Sequence, residues 1–297
     1  MSFGFLQAQE RLISGKILNA NSQEVIAGVS VSIENHFLKE TTDGNGGFTL
    51  KFDDLEMGNY ILNISKPGFE SFVGKFPIPL RHGLTIGELA RLCNDTFGLN
   101  ATLEVLPLEG WQRGLYHDDT RLPWVLPSPN LPTLDSAIVY PGTVLFEGTN
   151  LSEGRGTTKP FELVGAPWLE AHRLTRLMTQ LGLPGVRFRP AEFQPTFQKH
   201  AGQTCGGCQL HVTDRTSFQP VLTAVALLEV CRRLAPDCFA WRQPPYEYET
   251  VIPPIDILSG SDHLRQSLEA EVPYATIADT WSTSLISWPQ STGGRLA

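Results

Sequence analysis

The chain has 297 residues, of which 41% are hydrophobic and 18% charged, a composition typical of globular proteins with a buried core. Its formal net charge is −8 and it lacks a cluster of lysines and arginines, so nucleic acid is excluded as an expected partner. The first ten residues lack the segments of a signal peptide, and no stretch approaches the ~20 apolar residues of a transmembrane helix.

Residues 11–71 have the pattern of a small β-sandwich. Four short runs mix β-branched and aromatic residues with polar ones, and glycine-rich or asparagine-rich turns separate them. These predicted strands are residues 15–18, 28–33, 47–52 and 59–64.

Residues 72–297 alternate between helical and strand periodicity, which predicts an α+β domain. Thr85 and Glu88 have the spacing of a capping box, so they predict a helix with Ile86, Leu89, Ala90 and Cys93 on its apolar face. The remaining predicted elements are a strand at 103–108, a proline-rich loop at 122–133, a helix around 174–181, strands at 186–189 and 209–212, and a helix from Pro220 to about Leu234.

The segment richest in groups that could bind or react is residues 146–160, which carry Glu147, Glu153 and Arg155 among permissive glycines. We expect it to follow a strand, where polar loops often carry function. Glycosidases need two carboxyl groups roughly 5–9 Å apart, and convergent polar groups bind sugar hydroxyls. The segment therefore suits a sugar site, and the alternative is an exposed turn with a Glu153–Arg155 ion pair.

Two cysteines flanked by histidines form a second candidate site. His200, Cys205, Cys208 and His211 are residue types found in zinc sites and in redox-active cysteine pairs. Both interpretations are weak, because the chain has no second Cys-x-x-Cys and no thioredoxin-like pattern around this one. The histidines could instead contact a ligand or form a hydrogen bond in the core.

Two further features could contact a ligand. His82 precedes the predicted capped helix, where it could bind an anion together with free backbone N–H groups, or simply belong to a helix-entry turn. Several aromatic side chains could stack on sugar rings or instead fill the core: Trp111, Trp124, Trp168, Trp241 and Tyr246.

Residues 42–50, together with 58–60 and 66–69, resemble the carboxypeptidase-regulatory-like domain. That family is a prealbumin-like β-sandwich that serves as an accessory module on many secreted bacterial proteins. The resemblance implies a scaffold or binding role and no chemistry.

From about residue 72 to about residue 270, the chain resembles the NamZ-type peptidoglycan exo-β-N-acetylmuramidase family, formerly a domain of unknown function. The matching strings are residues 76–90, 122–133, 140–143, 146–158, 185–190, 193–200 and 205–214. The resemblance implies a glycoside hydrolase that removes terminal N-acetylmuramic acid from the non-reducing end of peptidoglycan fragments. It implies a Rossmann-like N-terminal lobe, a smaller C-terminal lobe with the cleft between them, and neither a nicotinamide nor a catalytic metal.

The sequence before Phe76 does not resemble the Rossmann-like lobe, so an acidic residue expected from that lobe has no counterpart here. The resemblance implies catalytic roles for Glu147 and Glu153, and sugar or lactyl-carboxylate binding by Asn150 and Arg155. Further residues that it implies along the cleft are Ser152, Thr157, His82, Asn130, His200 and His211. With half of the site, we expect little turnover by this chain alone.

The alternative to an enzyme is a non-catalytic carbohydrate-binding or vestigial fusion protein, and a chimeric gene would also explain the abrupt join near residues 69–73. The expected partners are muropeptides, and self-association could occur through the apolar face that the absent lobe would cover. The family implies a periplasmic or extracellular location, whereas the sequence, without a signal peptide, is also compatible with the cytoplasm.

Overall fold

The structure is a computed structural model, and its chain divides into two compact units, Met1–Phe76 with Leu84–Glu109 and Pro77–Gly83 with Gly110–Ala297. The described residues are 11–16, 25, 27, 30–33, 39–45, 47–52, 62–65, 79–97, 101–247 and 249–281. Parts of the predicted runs at 15–18, 28–33 and 59–64, and the join near residues 69–73, lie outside them. The predicted domain boundary at residue 71 stays a prediction.

The first unit contains two small antiparallel sheets. Their strands are β1 (Arg11–Lys16), β2 (Ser30–Ile33), β3 (Lys39–Thr41), β4 (Gly47–Phe52) and β5 (Leu62–Ser65). β1 pairs with β4, and β2 lies between β3 and β5. These strands overlap the four predicted runs and add β3, so a mixed β and α composition is confirmed, while the packing of the sheets into a sandwich stays a prediction.

Helix α1 (Ile86–Thr96) begins with the predicted capping box. Thr85 accepts a hydrogen bond from the Glu88 N–H at 3.2 Å, and the Glu88 carboxylate accepts one from the Thr85 N–H at 2.6 Å. The predicted apolar face is wrong at one position, because Ile86 is 89% exposed and the buried residue of this helix is Leu92. Ile86 lies in the first turn, to one side of the face centred on Leu92.

The predicted strand at 103–108 is wrong. This segment forms no strand, and Val105 packs instead so closely on Gly87 of α1 that a Cβ at Gly87 would collide with the valine side chain. A short apolar run forms a strand only where a neighbouring strand completes the hydrogen bonds, and the contact here is with a helix.

The second unit is built around one antiparallel sheet and one buried helix. The sheet has the order β6 (Leu163–Ala166), β8 (Cys205–Val212), β7 (Val186–Phe193). The helices are α2 (Leu134–Thr143), α3 (Ala171–Gln180), α4 (Pro220–Leu234), α5 (Pro254–Ser259), α6 (His263–Glu269) and α7 (Tyr274–Asp279), with 3-10 helices at His117–Thr120 and Val144–Gly148. The predictions of α3, β7, β8 and α4 are confirmed.

Helix α4 is the centre of this core. Its nine buried residues, from Pro220 to Cys231, extend around most of the helix, as expected for a helix enclosed by other elements. A Cβ at Gly142 would collide with the carbonyl group of Pro220, so α2 lies very close to the start of α4. This contact fixes the end of α2, from which the candidate site begins.

Within the described residues, no helix has both the length and the apolar character needed to cross a membrane.

Candidate functional site

The polar segment after Phe146 continues from a helix. α2 leads directly into the 3-10 helix Val144–Gly148, so the prediction of a strand before Glu147 is wrong. The residues concerned are buried almost throughout, and a short, fully buried apolar run has no periodicity that distinguishes a strand from a helix. Beyond Gly148 the chain pairs with β6, where Ser152 and Gly165 exchange two backbone hydrogen bonds at 2.8 and 3.0 Å.

Three side chains of this segment meet two from distant parts of the chain. We call these five residues the ion cluster: Glu147, Glu153, Arg155, Lys199 and Tyr246. Arg155 contacts both carboxylates: its Nη2 donates to Glu147 at 2.5 Å, and its Nε lies 3.2 Å from Glu153. The Tyr246 hydroxyl donates to the second oxygen of Glu147 at 2.7 Å. One guanidinium thus holds the two predicted catalytic carboxylates beside each other.

Lys199 completes the ion cluster through its contact with Glu153. Its ammonium group lies 2.6 Å from Glu153 and donates to the carbonyl oxygens of Phe146 at 2.8 Å and Thr149 at 3.1 Å. The ammonium group thus forms one ion pair and two hydrogen bonds to backbone carbonyl groups. Burial lowers the pKa of Lys199, and the charge of Glu153 opposes that shift.

The predicted ion pair of Glu153 with Arg155 is confirmed, but the predicted exposure of this turn is wrong. The side chain of Glu153 is only 3% exposed, whereas those of Glu147 and Arg155 are 12% and 23% exposed. Solvent therefore reaches Glu147 and Arg155, and also Lys199, whose side chain is 21% exposed, whereas Glu153 is enclosed.

Arg155 also contacts a buried aromatic ring. Its guanidinium lies 5.1 Å from the ring centre of Phe161, which packs edge-to-face against Tyr140 at 4.8 Å. Burial, and then the nearby charge of Glu147, raise the pKa of Tyr140. Burial and the hydrogen bond to Glu147 likewise raise the pKa of Tyr246, so both hydroxyls stay protonated donors over the physiological pH range.

Asn150 uses its side chain to hold a distant part of the chain. Its amide nitrogen donates to the carbonyl oxygen of Cys238 at 2.7 Å, and its amide oxygen accepts from the Ala240 N–H at 3.0 Å. Its own carbonyl oxygen is 2.7 Å from Nε2 of His200, which must be the donor in this bond. The structure thus brings Asn150 and His200 next to the ion cluster, both with backbone partners.

Ser152 and Thr157 shape the loop. Ser152 is buried and its hydroxyl accepts from the Gly154 N–H at 3.1 Å, while the Thr157 hydroxyl donates to the Gly154 carbonyl at 2.6 Å. Gly154 and Gly156 have φ values of +78° and +79°, which other residues adopt only with strain. These contacts fix the loop that carries Glu153 and Arg155.

Three other predicted residues lie elsewhere. His211 is exposed on β8 opposite Arg187, and Asn130 lies in the proline-rich loop, which is confirmed as a loop. Neither makes a hydrogen bond to the ion cluster within the described part of the chain. His82 is half-buried in the segment Pro77–Gly83, and the capping box of α1 already uses two of the N–H groups on which anion binding there would depend.

Lys199 and the hydroxyl of Tyr246 are the members of the ion cluster that the sequence does not predict. From the sequence, Tyr246 is predicted only as an aromatic ring that could stack on a sugar or fill the core. Lys199 lies within the matching string 193–200, but the sequence predicts no role for it. Both reach the ion cluster from segments 46 or more residues away, so no local pattern connects them to Glu153.

The cysteine pair lies inside the sheet. Cys205 and Cys208 are buried on β8, three residues apart, so their side chains point to opposite faces of the strand. Burial raises the pKa of Cys205 to about 11 and of Cys208 to about 12. Across the described residues, no three His, Cys, Asp or Glu side chains come together as a metal site.

Three family models match parts of the chain. Residues 138–294 match the model described as exo-beta-N-acetylmuramidase NamZ, C-terminal, and residues 58–135 match the corresponding N-terminal model. Residues 13–85 match the CarboxypepD_reg-like domain and overlap the second match. The sequence alone predicts no part of the family's N-terminal lobe here, and the match at 58–135 corrects that prediction.

The peptidoglycan beta-N-acetylmuramidase NamZ of Bacillus subtilis (strain 168) is 46% identical over 229 residues, which are 77% of this chain and 53% of the relative. The chain thus spans about half the length of this curated relative. Two crystal structures of DUF1343 family proteins from Bacteroides fragilis NCTC 9343 are similar. The first has a TM-score of 0.66, 28% identity and coverage of 77% of this chain and 60% of that one. The second has a TM-score of 0.54, 24% identity and coverage of 76% and 58%, and shows similarity of fold. Since the C-terminal model alone matches more than half of the residues, the chain belongs to the NamZ exo-β-N-acetylmuramidase family.

Proposed function

We propose that this chain binds the terminal N-acetylmuramic acid of muropeptides at the ion cluster, and that it hydrolyses the glycosidic bond poorly by itself. The name of the Bacillus subtilis relative supports peptidoglycan as the source of the ligand. The observation that carries the proposal is that Glu147 and Glu153 already accept hydrogen bonds or ion pairs from Arg155, Lys199 and Tyr246.

Glycosidases of the usual kind need one protonated carboxyl group as general acid and a second carboxylate on the other side of the bond. Glu153 suits neither role, because it is buried between two cations and a ligand has no direct access to it. We assign it the role of positioning Arg155 and Lys199. Glu147 keeps partial exposure and is the carboxylate that could touch a substrate.

Arg155 is the group in the ion cluster best suited to bind the ligand. N-acetylmuramic acid carries a lactyl carboxylate, and guanidinium groups bind carboxylates through paired, charge-assisted hydrogen bonds. The side chain of Arg155 is 23% exposed, and the buried ring of Phe161 supports its guanidinium from the protein side. The two carboxylates that already contact Arg155 fix its orientation before the ligand arrives.

Efficient hydrolysis needs a closed cleft that excludes water and positions a second carboxyl group. In the family, as the resemblance describes it, the cleft lies between two lobes, and this chain matches about half of the relative's length. We therefore propose binding as the main activity of this chain, at a periplasmic or extracellular location. A complete enzyme formed with another chain is the second candidate, which the two-lobed family architecture favours.

Self-association is part of the proposal. The proline-rich loop exposes Leu122, Val125 and Leu126, an apolar group that soluble monomers usually cover. A dimer or larger species in multi-angle light scattering is the expected result, and a monomer at all concentrations contradicts it.

The test combines turnover and binding by the whole chain. We expect little release of the aryl group from a chromogenic aryl β-N-acetylmuramide, and binding of muropeptides in calorimetry. Arg155→Gln should weaken this binding about ten-fold or more, as expected for loss of a charge-assisted pair. The matched control is Arg173→Gln, at an exposed position of α3.

Turnover that Glu147→Gln abolishes would show that this half of the fold holds the essential acid, and the proposal of weak catalysis would be wrong. Unchanged muropeptide binding in Arg155→Gln, with a native circular dichroism spectrum, would show that the ion cluster is not the binding site.

A further inference from the structure

A separate pocket of about 180 Å³ opens on the second unit. One side is the face of α2 formed by Leu134, Ala137, Ile138 and Pro141, whose spacing places them along one stripe of the helix. Phe218 faces this stripe from the segment before α4. The pocket shares no lining residue with the ion cluster and has no assigned role.

The rim of the pocket is polar and basic. Arg81, Arg215 and Tyr116 complete the lining. Arg215 is fixed, because its Nη1 donates to both carboxylate oxygens of Asp118 at 2.9 and 2.8 Å and its guanidinium lies 5.0 Å from the ring centre of Tyr116. Asp118, and Asp135 through its charge, offset the charge of Arg215.

Arg81 differs from Arg215 in its exposure and in its contacts. It is exposed, and within the described residues it forms no hydrogen bond or ion pair. The pocket therefore combines an apolar wall with an exposed cation that pairs with no carboxylate in the part of the chain that the structure describes. A ligand that fills it needs an apolar body and a negative group at one end.

We propose that this pocket binds a carboxylate attached to a compact apolar group. The apolar part would pack against the α2 stripe and Phe218, and the carboxylate would pair with Arg81. The volume equals that of about six water molecules and is below the ~300 Å³ of pockets for drug-sized ligands, so the ligand is small. Short-chain fatty acids and the C-terminal residue of a peptide both have this chemistry, and the inference does not depend on the proposed function.

Saturation-transfer NMR titrations of the full chain test the inference with butyrate, N-acetylalanine and the neutral isostere butyramide. We expect millimolar binding of at least one carboxylate and at least five-fold weaker binding of butyramide, as expected for loss of a charge-assisted contact. Tighter binding of butyrate assigns the pocket to free acids, and tighter binding of N-acetylalanine assigns it to peptide carboxyl termini.

Two variants separate this pocket from non-specific binding. Arg81→Gln should weaken carboxylate binding about five- to ten-fold, because it removes the unpaired charge. Ala137→Leu should abolish binding by filling the pocket, and leucine is a good helix former, so α2 should persist. Arg173→Gln, an exposed arginine on α3, should leave the affinity unchanged.

No binding of either carboxylate at 50 mM overturns the inference. Equal binding of butyramide and butyrate overturns it as well, since the charge would then have no part. The same holds if native Ala137→Leu protein binds as the parent chain does. Failure of the muropeptide experiment alone leaves this inference standing, because the two sites share no residue.

Discussion

Replacing Lys199 with methionine tests whether the ion cluster holds the second unit together. The change removes the ion pair with Glu153 and the hydrogen bond to the Thr149 carbonyl oxygen. Removing one partner of a buried ion pair typically costs 3–5 kcal/mol. Glu153 keeps Arg155 as a partner and the side chain of Lys199 is 21% exposed, so we expect a loss near the lower limit, about 3 kcal/mol, or a fall in Tm of roughly 6–12 °C for a unit of this size.

Tryptophan fluorescence during urea unfolding is the appropriate assay. All six tryptophans lie at residue 111 or later, so the signal reports on the second unit and not on the small sheets. Lys159→Met is the matched control: Lys159 pairs with Glu162 at 3.1 Å, but its side chain is 38% exposed. For such an exposed cation we expect a loss of about 1 kcal/mol or less.

A double-mutant cycle of Lys199→Met with Glu153→Gln measures the coupling directly. Since the two charges lie 2.6 Å apart, we expect a coupling free energy of about 2 kcal/mol. A loss below 1 kcal/mol in Lys199→Met, or additive effects in the double variant, would refute the view that this ion pair is structural.

Three further outcomes are expected. Tyr246→Phe removes a donor to the ion cluster and should weaken muropeptide binding about three- to ten-fold in calorimetry. Iodoacetamide at pH 8 should label the exposed Cys238 first and Cys208, whose pKa burial raises to about 12, only after unfolding, as peptide mapping can verify; rapid labelling of Cys208 would contradict its burial. The hydrogen bond from Ser217 contributes most to lowering the pKa of Asp214 to about 2, so its stabilising effect is present above pH ~4 and lost toward pH 2. Asp214→Asn should therefore lower Tm at pH 6 but leave it equal to that of the parent chain near pH 2.

Long, strongly periodic segments of this fold are predictable from the sequence. The stripe of Leu174 and Met178 predicts α3, because the spacing matches the buried side of that helix. Pro220 marks the first residue of α4, because proline is tolerated in the first turn of a helix. The capping box of α1 is equally local, since it involves residues three apart.

The errors occur where the outcome depends on a distant neighbour. Residues 103–108 are rich in apolar residues, as a strand is, but Val105 contacts α1. Residues 143–146 are all buried, so this run has no period that distinguishes a helix from a strand. The candidate site shows the same limit. Glu147, Glu153 and Arg155 are predicted from one segment, whereas Lys199 and Tyr246 become neighbours only through the tertiary fold.

Asn150 and the ion cluster join segments that are far apart along the chain. The bonds of Asn150 to Cys238 and Ala240 span 88 and 90 residues, and that of Tyr246 to Glu147 spans 99. Closing such long loops lowers the conformational entropy of the chain before the new contacts stabilise it. We therefore expect these bonds to form late, after α4 and the β7–β8 hairpin. Changes at Asn150 should then accelerate unfolding and leave the folding rate nearly unchanged, so this side chain governs how long the native state persists more than how quickly it is reached.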